Sequence, residues 1–135
     1  MPIARSVIRD TDTTVLTVSG EVTPDEMKRA IEQFWEAEHV TLDVIWDYSA
    51  ASMARLQGTD LGDLVDVGLR YPDRLRERAG GRTAIIAPSD VAYGMMRISE
   101  TLSEMAGYTF EVRVFRSREA GEAWLAEPGR NPAQP

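Results

Sequence analysis

The order of apolar and polar positions divides the chain into strand-like and helix-like segments. "ARSVIRD" (4–10) and "TVLTVSG" (14–20) alternate or cluster β-branched residues around "TDT", which predicts a hairpin. "TPDEMKRAIEQFWEAE" (23–38) opens with a capping box: Thr23 at the N-cap, Pro24 at N1 and Glu26 at N3. Met27, Ile31 and Phe34 then recur on one helical face. "VTLDVIWD" (40–47) predicts a strand with Val40, Leu42, Val44 and Trp46 on one side and Thr41, Asp43 and Asp47 on the other. "YSAASMARLQG" (48–58) reads as loop.

"TDLGDLVDVGLR" (59–70) predicts a helix that turns Leu61, Leu64, Val65 and Gly68 inward, with Pro72 ending or kinking it. "RTAIIA" (82–87) predicts a strand. "SDVAYGMMRISETLSEMAG" (89–107) is the clearest helix. Val91, Met95, Ile98, Leu102 and Met105 repeat at alternating spacings of four and three, and Gly107 supplies a C′ stop. "FEVRVF" (110–115) alternates as an edge strand does, and "SREAGEAWLAE" (117–127) predicts a short helix anchored by Trp124 and Leu125.

The predicted order is ββαβαβαβα, an α/β domain with a mainly parallel five-stranded sheet. A sheet covered on both faces favours near-continuous apolar strands. Thr41, Asp43, Glu111 and Arg113 interrupt two of them, which predicts helices mostly on one face and a partly wet opposite face. Residues 1–127 read as one domain, and "PGRNPAQP" (128–135) as a flexible tail.

Composition narrows the chemistry. A net charge of −7 argues against a nucleic-acid or anionic-membrane surface, both of which need clustered cations. The absence of cysteine excludes disulfides, thiol catalysis and thiolate metal sites. His39 is the only histidine, so a multi-histidine metal site is excluded and a Ser-His-Asp triad would have to be built around it. No apolar run approaches the ~18 residues of a membrane span and no leader pattern opens the chain. These features predict a soluble, cytoplasmic protein without a transmembrane segment, metal or cofactor.

The stretch "GGRTAIIAPSDVAYGMMRISETL" (80–102) invites comparison with a phosphate loop. A Walker A loop places its glycines, a lysine and a Ser or Thr between strand and helix. Here Gly80 and Gly81 precede the strand and the connection is Pro88-Ser89-Asp90, so the residues favour a turn, a strand end and a helix cap. A receiver-like site at Asp47 would need an acidic cluster and a lysine after the last strand. The sole lysine, Lys28, lies on the first helix. A hydrolase nucleophile at Asp47 has no accompanying base or metal set. Asp60, Asp63 and Asp66 drift around their helix as a solvated face does.

Asp47, Ser49, Ser89 and Asp90 are candidate ligand-binding residues, because ligands of open α/β sheets gather beyond the carboxyl ends of strands. Local capping explains the same residues. Trp46, Tyr48, Tyr93, Met96 and Arg97 are the candidate aromatic, apolar and cationic lining beside that end, although methionines at helical spacing also serve as core.

In order, "VSGEVTPDEM", "LDVIWDYSA", "GGRTAIIAPSDVAYGMMR" and "FEVRVFRSREAGEAWL" resemble the SpoIIAA-like family, bacterial proteins related to the STAS domain. The resemblance spans nearly the whole chain up to the tail. It implies a β-α superhelical sheet with one antiparallel strand and no enzyme activity. STAS relatives are regulatory or binding modules. Some are anti-sigma-factor antagonists switched by phosphorylation of the serine in an Asp-Ser pair at the start of the second helix. Other SpoIIAA-like members are proposed to hold nonpolar ligands, by analogy with CRAL-TRIO lipid carriers. Here the corresponding stretch reads "QGTDLGDL", so the hydroxyl of Thr59 precedes Asp60 and the pair is reversed. Thr59 is thus a weak phosphosite candidate and a candidate N-cap. The expected function is a non-catalytic module that binds a small nonpolar or anionic ligand. The alternative is a protein-interaction module using 49–59 and the helix that follows. A small nonpolar ligand, a regulatory protein and a second copy of the chain are the partners left open.

Overall fold

The computed structural model describes residues 2–128. The tail expected at 128–135 lies, from 129 onward, outside the described residues. β1 (Ile3–Ile8) pairs antiparallel with β2 (Thr13–Glu21) through a single 3-10 turn, and Asp12 closes that turn with φ 49°. β3 (Asp43–Ser52), β4 (Arg82–Ile86) and β5 (Glu111–Phe115) then add in sequence, each parallel to its neighbour. The strand order is β1-β2-β3-β4-β5.

That order fixes where the helices lie. Every parallel step moves in the same direction across the sheet. Crossovers of one hand therefore place their helices on one face. α1 (Pro24–Trp35), α2 (Gly58–Gly68) and α4 (Asp90–Met105) cover this face, and a short α3 (Pro72–Glu77) follows α2. α5 (Arg118–Leu125) comes after the last strand and folds onto the opposite face. The fold is thus α/β with a mainly parallel five-stranded sheet and one antiparallel pair, as the pattern predicts.

Local chemistry explains the ends of several elements. The Thr23 N–H donates to Glu26 Oε1 at 2.9 Å and the Glu26 N–H donates to Thr23 Oγ1 at 3.2 Å, so the capping box forms. Ser89 caps α4 by accepting from the Ala92 N–H at 3.1 Å. Gly107, at φ 76°, supplies the left-handed residue that ends α4. Gly81 passes so close to the Leu42 carbonyl that any Cβ there would collide with it.

Five expectations are corrected. β3 starts at Asp43, not Val40, and continues through "YSAAS"; beyond Asp47 it overhangs β4 and pairs only with β2, after a bulge between Thr17 and Ser19. Small residues suit such an overhang, because it packs one neighbour instead of two. Thr41 and Asp43 are buried. Thr41 Oγ1 lies 2.7 Å from Thr14 Oγ1, and Asp43 accepts from the Arg82 N–H at 3.0 Å. At Thr41 and Asp43 the polar interruptions therefore mark internal hydrogen bonds, whereas Glu111 and Arg113 on β5 are exposed, as a partly wet face requires.

Pro72 neither ends nor kinks α2, which stops at Gly68; it opens α3 at a position where its missing N–H costs nothing. Gln57, not Thr59, is the N-cap of α2: its N–H donates to Asp60 Oδ2 at 2.8 Å. The inward face of α4 is Ala92, Met96 and Ser103. Val91, Ile98 and Met105 of the predicted stripe are 69%, 44% and 78% exposed. Met95 and Leu102 of that stripe are half-buried and pack against the core beside these three.

Candidate functional site

Three helices resting on one sheet face do not fill it. A cavity of about 100 Å³ lies between them and the strands. Leu16, Val44, Trp46, Tyr48, Ile85 and Val112 form its floor. Met27, Ile31, Phe34 and Trp35 of α1, Leu61, Leu64 and Val65 of α2, and Met96, Ser99 and Ser103 of α4 form its walls and roof. Arg78, Thr83, Tyr108 and Phe110 complete one end. A larger polar groove of about 760 Å³ runs along α4 and the β5 edge and shares Ser103, Tyr108, Phe110 and Val112 with the cavity.

Arg78 is the unusual member. Its residue is 2% exposed, and its guanidinium packs 3.9 Å from the Phe110 ring centroid and 5.6 Å from that of Phe34. Nε and Nη2 donate to the Leu42 carbonyl at 3.1 and 2.9 Å, and Nη2 also reaches Thr83 Oγ1 at 3.0 Å and the Arg82 carbonyl at 3.3 Å. Among the described residues Nη1 has no acceptor and no carboxylate lies within ion-pair distance. Burial pulls its pKa well below the ordinary guanidinium range, and the more distant Asp43 and Asp12 carboxylates counteract this in part. Tyr48 is fully enclosed, with only Met27 Sδ as acceptor at 3.7 Å, and burial pushes its phenol pKa upward. Tyr108 donates to the Val65 carbonyl, and burial likewise raises its phenol.

Of the candidate ligand residues, the structure brings Trp46, Tyr48 and Met96 together on the cavity wall. The others lie elsewhere. Asp47 accepts from the Ser49 N–H at 2.9 Å and from Arg118 Nη1 at 3.1 Å. Burial pushes the Asp47 carboxyl up, but the bonds from Ser49 and Arg118 outweigh it and hold it below its ordinary value. Ser89 is occupied as a cap. Asp90 pairs with Arg116 at 2.6 Å, and Arg116 lies over the Tyr93 ring at 4.3 Å. Arg97 pairs with Glu100 at 3.2 Å. Tyr93 and Arg97 line the outer groove. Thr59 is exposed in the first turn of α2.

The strand order explains this dispersal. A crevice at the carboxyl ends of strands arises where the order reverses, and this sheet has no reversal. Sequence reasoning missed Arg78 because "RLRERAGGR" reads as a solvated charge run. Its one local signal is position: it lies between a helix end and the Gly80-Gly81 turn. Among the described residues, no three acidic or histidine side chains are placed to hold a metal, and no helix is long and apolar enough to cross a membrane.

Comparison with known proteins adds the architecture's affiliation. No family model matches the sequence. No curated protein matches it either. The structure is similar to that of the anti-sigma factor antagonist SpoIIAA in its unphosphorylated form, with TM-score 0.58 and 15% identity over 91% of this chain and 95% of that one. It is also similar to an uncharacterized DUF3478-family protein from Shewanella loihica PV-4, with TM-score 0.54 and 17% identity over 92% of each chain. The fold is SpoIIAA-like. At these identities the likeness concerns architecture, and the SpoIIAA-like arrangement is what leaves one sheet face under three helices.

Proposed function

We propose that the protein is a non-catalytic binding module that holds a small, largely apolar molecule between its sheet and α1, α2 and α4. The carrying observation is the cavity of about 100 Å³, whose lining is mostly aliphatic, aromatic and methionine side chains. Few convergent polar groups in an apolar recess is the usual composition of a small-molecule site. Trp35 and Trp46 both line the cavity and provide the readout. A screen of small apolar compounds and organic acids should find members that change tryptophan emission and raise the melting temperature. A ligand at a hundred times its Kd stabilises by about 2.7 kcal/mol. Unchanged emission and melting across the screen would contradict the reading.

A second reading, a protein-interaction module of the anti-sigma-factor-antagonist type, is favoured by the SpoIIAA-like fold and by the exposed Thr59 on α2. The outer face of that helix carries Asp63 and Asp66, also exposed. Affinity capture from the native cell should then recover a kinase-like or sigma-regulating partner that Thr59→Glu weakens or strengthens. Recovery unaffected by changes at 49–59 and α2 would count against it.

A further inference from the structure

We propose that Arg78 is the anchor for the acid group of a small carboxylic acid whose hydrocarbon part fills the cavity. The inference rests on the reading of the cavity as a ligand site and adds the ligand's class.

A buried cation ordinarily needs a counter-charge. Arg82, a largely buried arginine, shows the pattern: it has Glu111 and Glu127. Arg78 is the most deeply buried arginine and has none at ion-pair distance among the described residues. Its fork is also incompletely used, because Nη1 donates to no acceptor while Nε and Nη2 are occupied. No fully enclosed polar side-chain atom lacks a partner, so Nη1 opens onto accessible space, and Arg78 lines the cavity.

Two further features prepare the site. The Phe110 and Phe34 rings and the fixed Leu42 carbonyl hold the guanidinium plane, so little freedom remains to be lost when an anion arrives. Ser103, only 4% exposed, lines the same cavity with a hydroxyl that has no partner among the described residues. It gives a second donor in the cavity lining. The groove that shares Ser103, Tyr108, Phe110 and Val112 provides the route in.

Volume and lining select among anions. An apolar cavity of ~150 Å³ admits benzene, with its six heavy atoms, so about 100 Å³ suits an acid of about two or three carbons in all. A long-chain fatty acid exceeds the space. Inorganic phosphate brings two charges and no carbon to a lining that is mostly hydrocarbon, so its desolvation is poorly compensated.

The test is a pair of near-isosteric ligands on the wild-type protein, propanoate and propanamide. Inorganic phosphate serves as the anion control. Binding is followed by tryptophan emission and by the side-chain ¹⁵N–¹H signal of Arg78. The acid should bind at least about tenfold more tightly than the amide, in line with the strength of a charge-assisted bond. It should also move the Arg78 signal, while phosphate does neither. Arg78→Met, if folded by circular dichroism, should lose the preference for the acid and keep amide binding. If that variant does not fold, the wild-type pair still decides.

Equal affinity for acid and amide would overturn the role of Arg78 and leave the apolar cavity standing. Phosphate competing as well as the acid would overturn the carboxylic-acid class. Acid binding without movement of the Arg78 signal would place the anion elsewhere and overturn the inference. No binding of either ligand would overturn the inference and count against the cavity reading with it.

Discussion

Arg78 and Arg82 stand four residues apart and on opposite faces of one sheet. Arg82 serves the α5 face. Its Nη1 donates to the Trp124 carbonyl at 2.6 Å, its guanidinium lies 4.8 Å from the Trp124 ring, and Glu127 and Glu111 stand 3.4 and 3.8 Å away. Packing there is full: a Cβ on Gly121 would lie 2.5 Å from Ile86 Cδ1. Arg78 serves the three-helix face, with aromatic stacking, backbone acceptors, no carboxylate at ion-pair distance among the described residues and a cavity beside it. The same residue type thus closes one face and leaves the other incomplete. A small helix added after the last strand can press flat onto the sheet. Three helices constrained by crossovers leave a space between their axes.

The comparison breaks most sharply under added volume. Gly121→Val should cost about 2–3 kcal/mol, because the α5 face has no room for the three added carbons. Ser103→Val, in contrast, should be neutral or stabilising and should block ligand binding, because it grows into the cavity. Chemical denaturation of both variants checks the pair, and a loss of similar size at the two positions would mean that the faces are equally full.

Alkaline titration separates the faces next. The Tyr48 phenol is neutral in the fold with its pKa raised by burial, so stability is intact below its unfolded value of 10.0 and declines as pH rises through the folded value. Above pH 10.0 wild type should lose about 1.4 kcal/mol per pH unit relative to Tyr48→Phe, and the difference should be flat below it. A constant difference would show that the phenol is not sealed on the cavity face.

The two arginines differ by less. Arg78→Met should destabilise by about 2 kcal/mol, since the Leu42 carbonyl and Thr83 lose a charged donor. Arg82→Met should cost about 1 kcal/mol, because its carboxylate partners are largely solvated. Equilibrium unfolding below pH 8 measures both. The smallest effect belongs to the entrance of α1, where Thr23→Ala should cost about 1 kcal/mol by opening the capping box. A cost near zero would mean that packing over the cavity alone holds that helix in place.

How much of this was legible follows from the range of each interaction. Capping boxes, the hairpin and the strand-helix order depend on neighbours within a few positions, and residues such as Thr23, Glu26, Ser89 and Gly107 declare them. The face that α4 buries depends on the sheet beneath it. Val91, Met95, Ile98, Leu102 and Met105 keep a helical period, yet the helix is turned so that Ala92, Met96 and Ser103 are buried, Met95 and Leu102 pack at the margin of the core, and Val91, Ile98 and Met105 are exposed. Trp46, Tyr48 and Met96 were selected beside a strand end that the unreversed strand order does not turn into a crevice, and they meet in the interior instead. Arg78 was invisible because most of its surroundings come from three distant segments, at Phe34, Leu42 and Phe110. The six-residue α3 that leads to it was too short to carry a periodic signal.

The most direct test of the account is methyl NMR of the protein titrated with propanoate. Binding inside the three-helix face predicts shifts at Leu61, Val65, Ile85 and Val112, which line the cavity, with Ile45 and Ile86 on the α5 face unmoved. Shifts confined to Ile45, Ile86 and the methyls around Trp124, or to exposed Val91 and Ile98 alone, would contradict it.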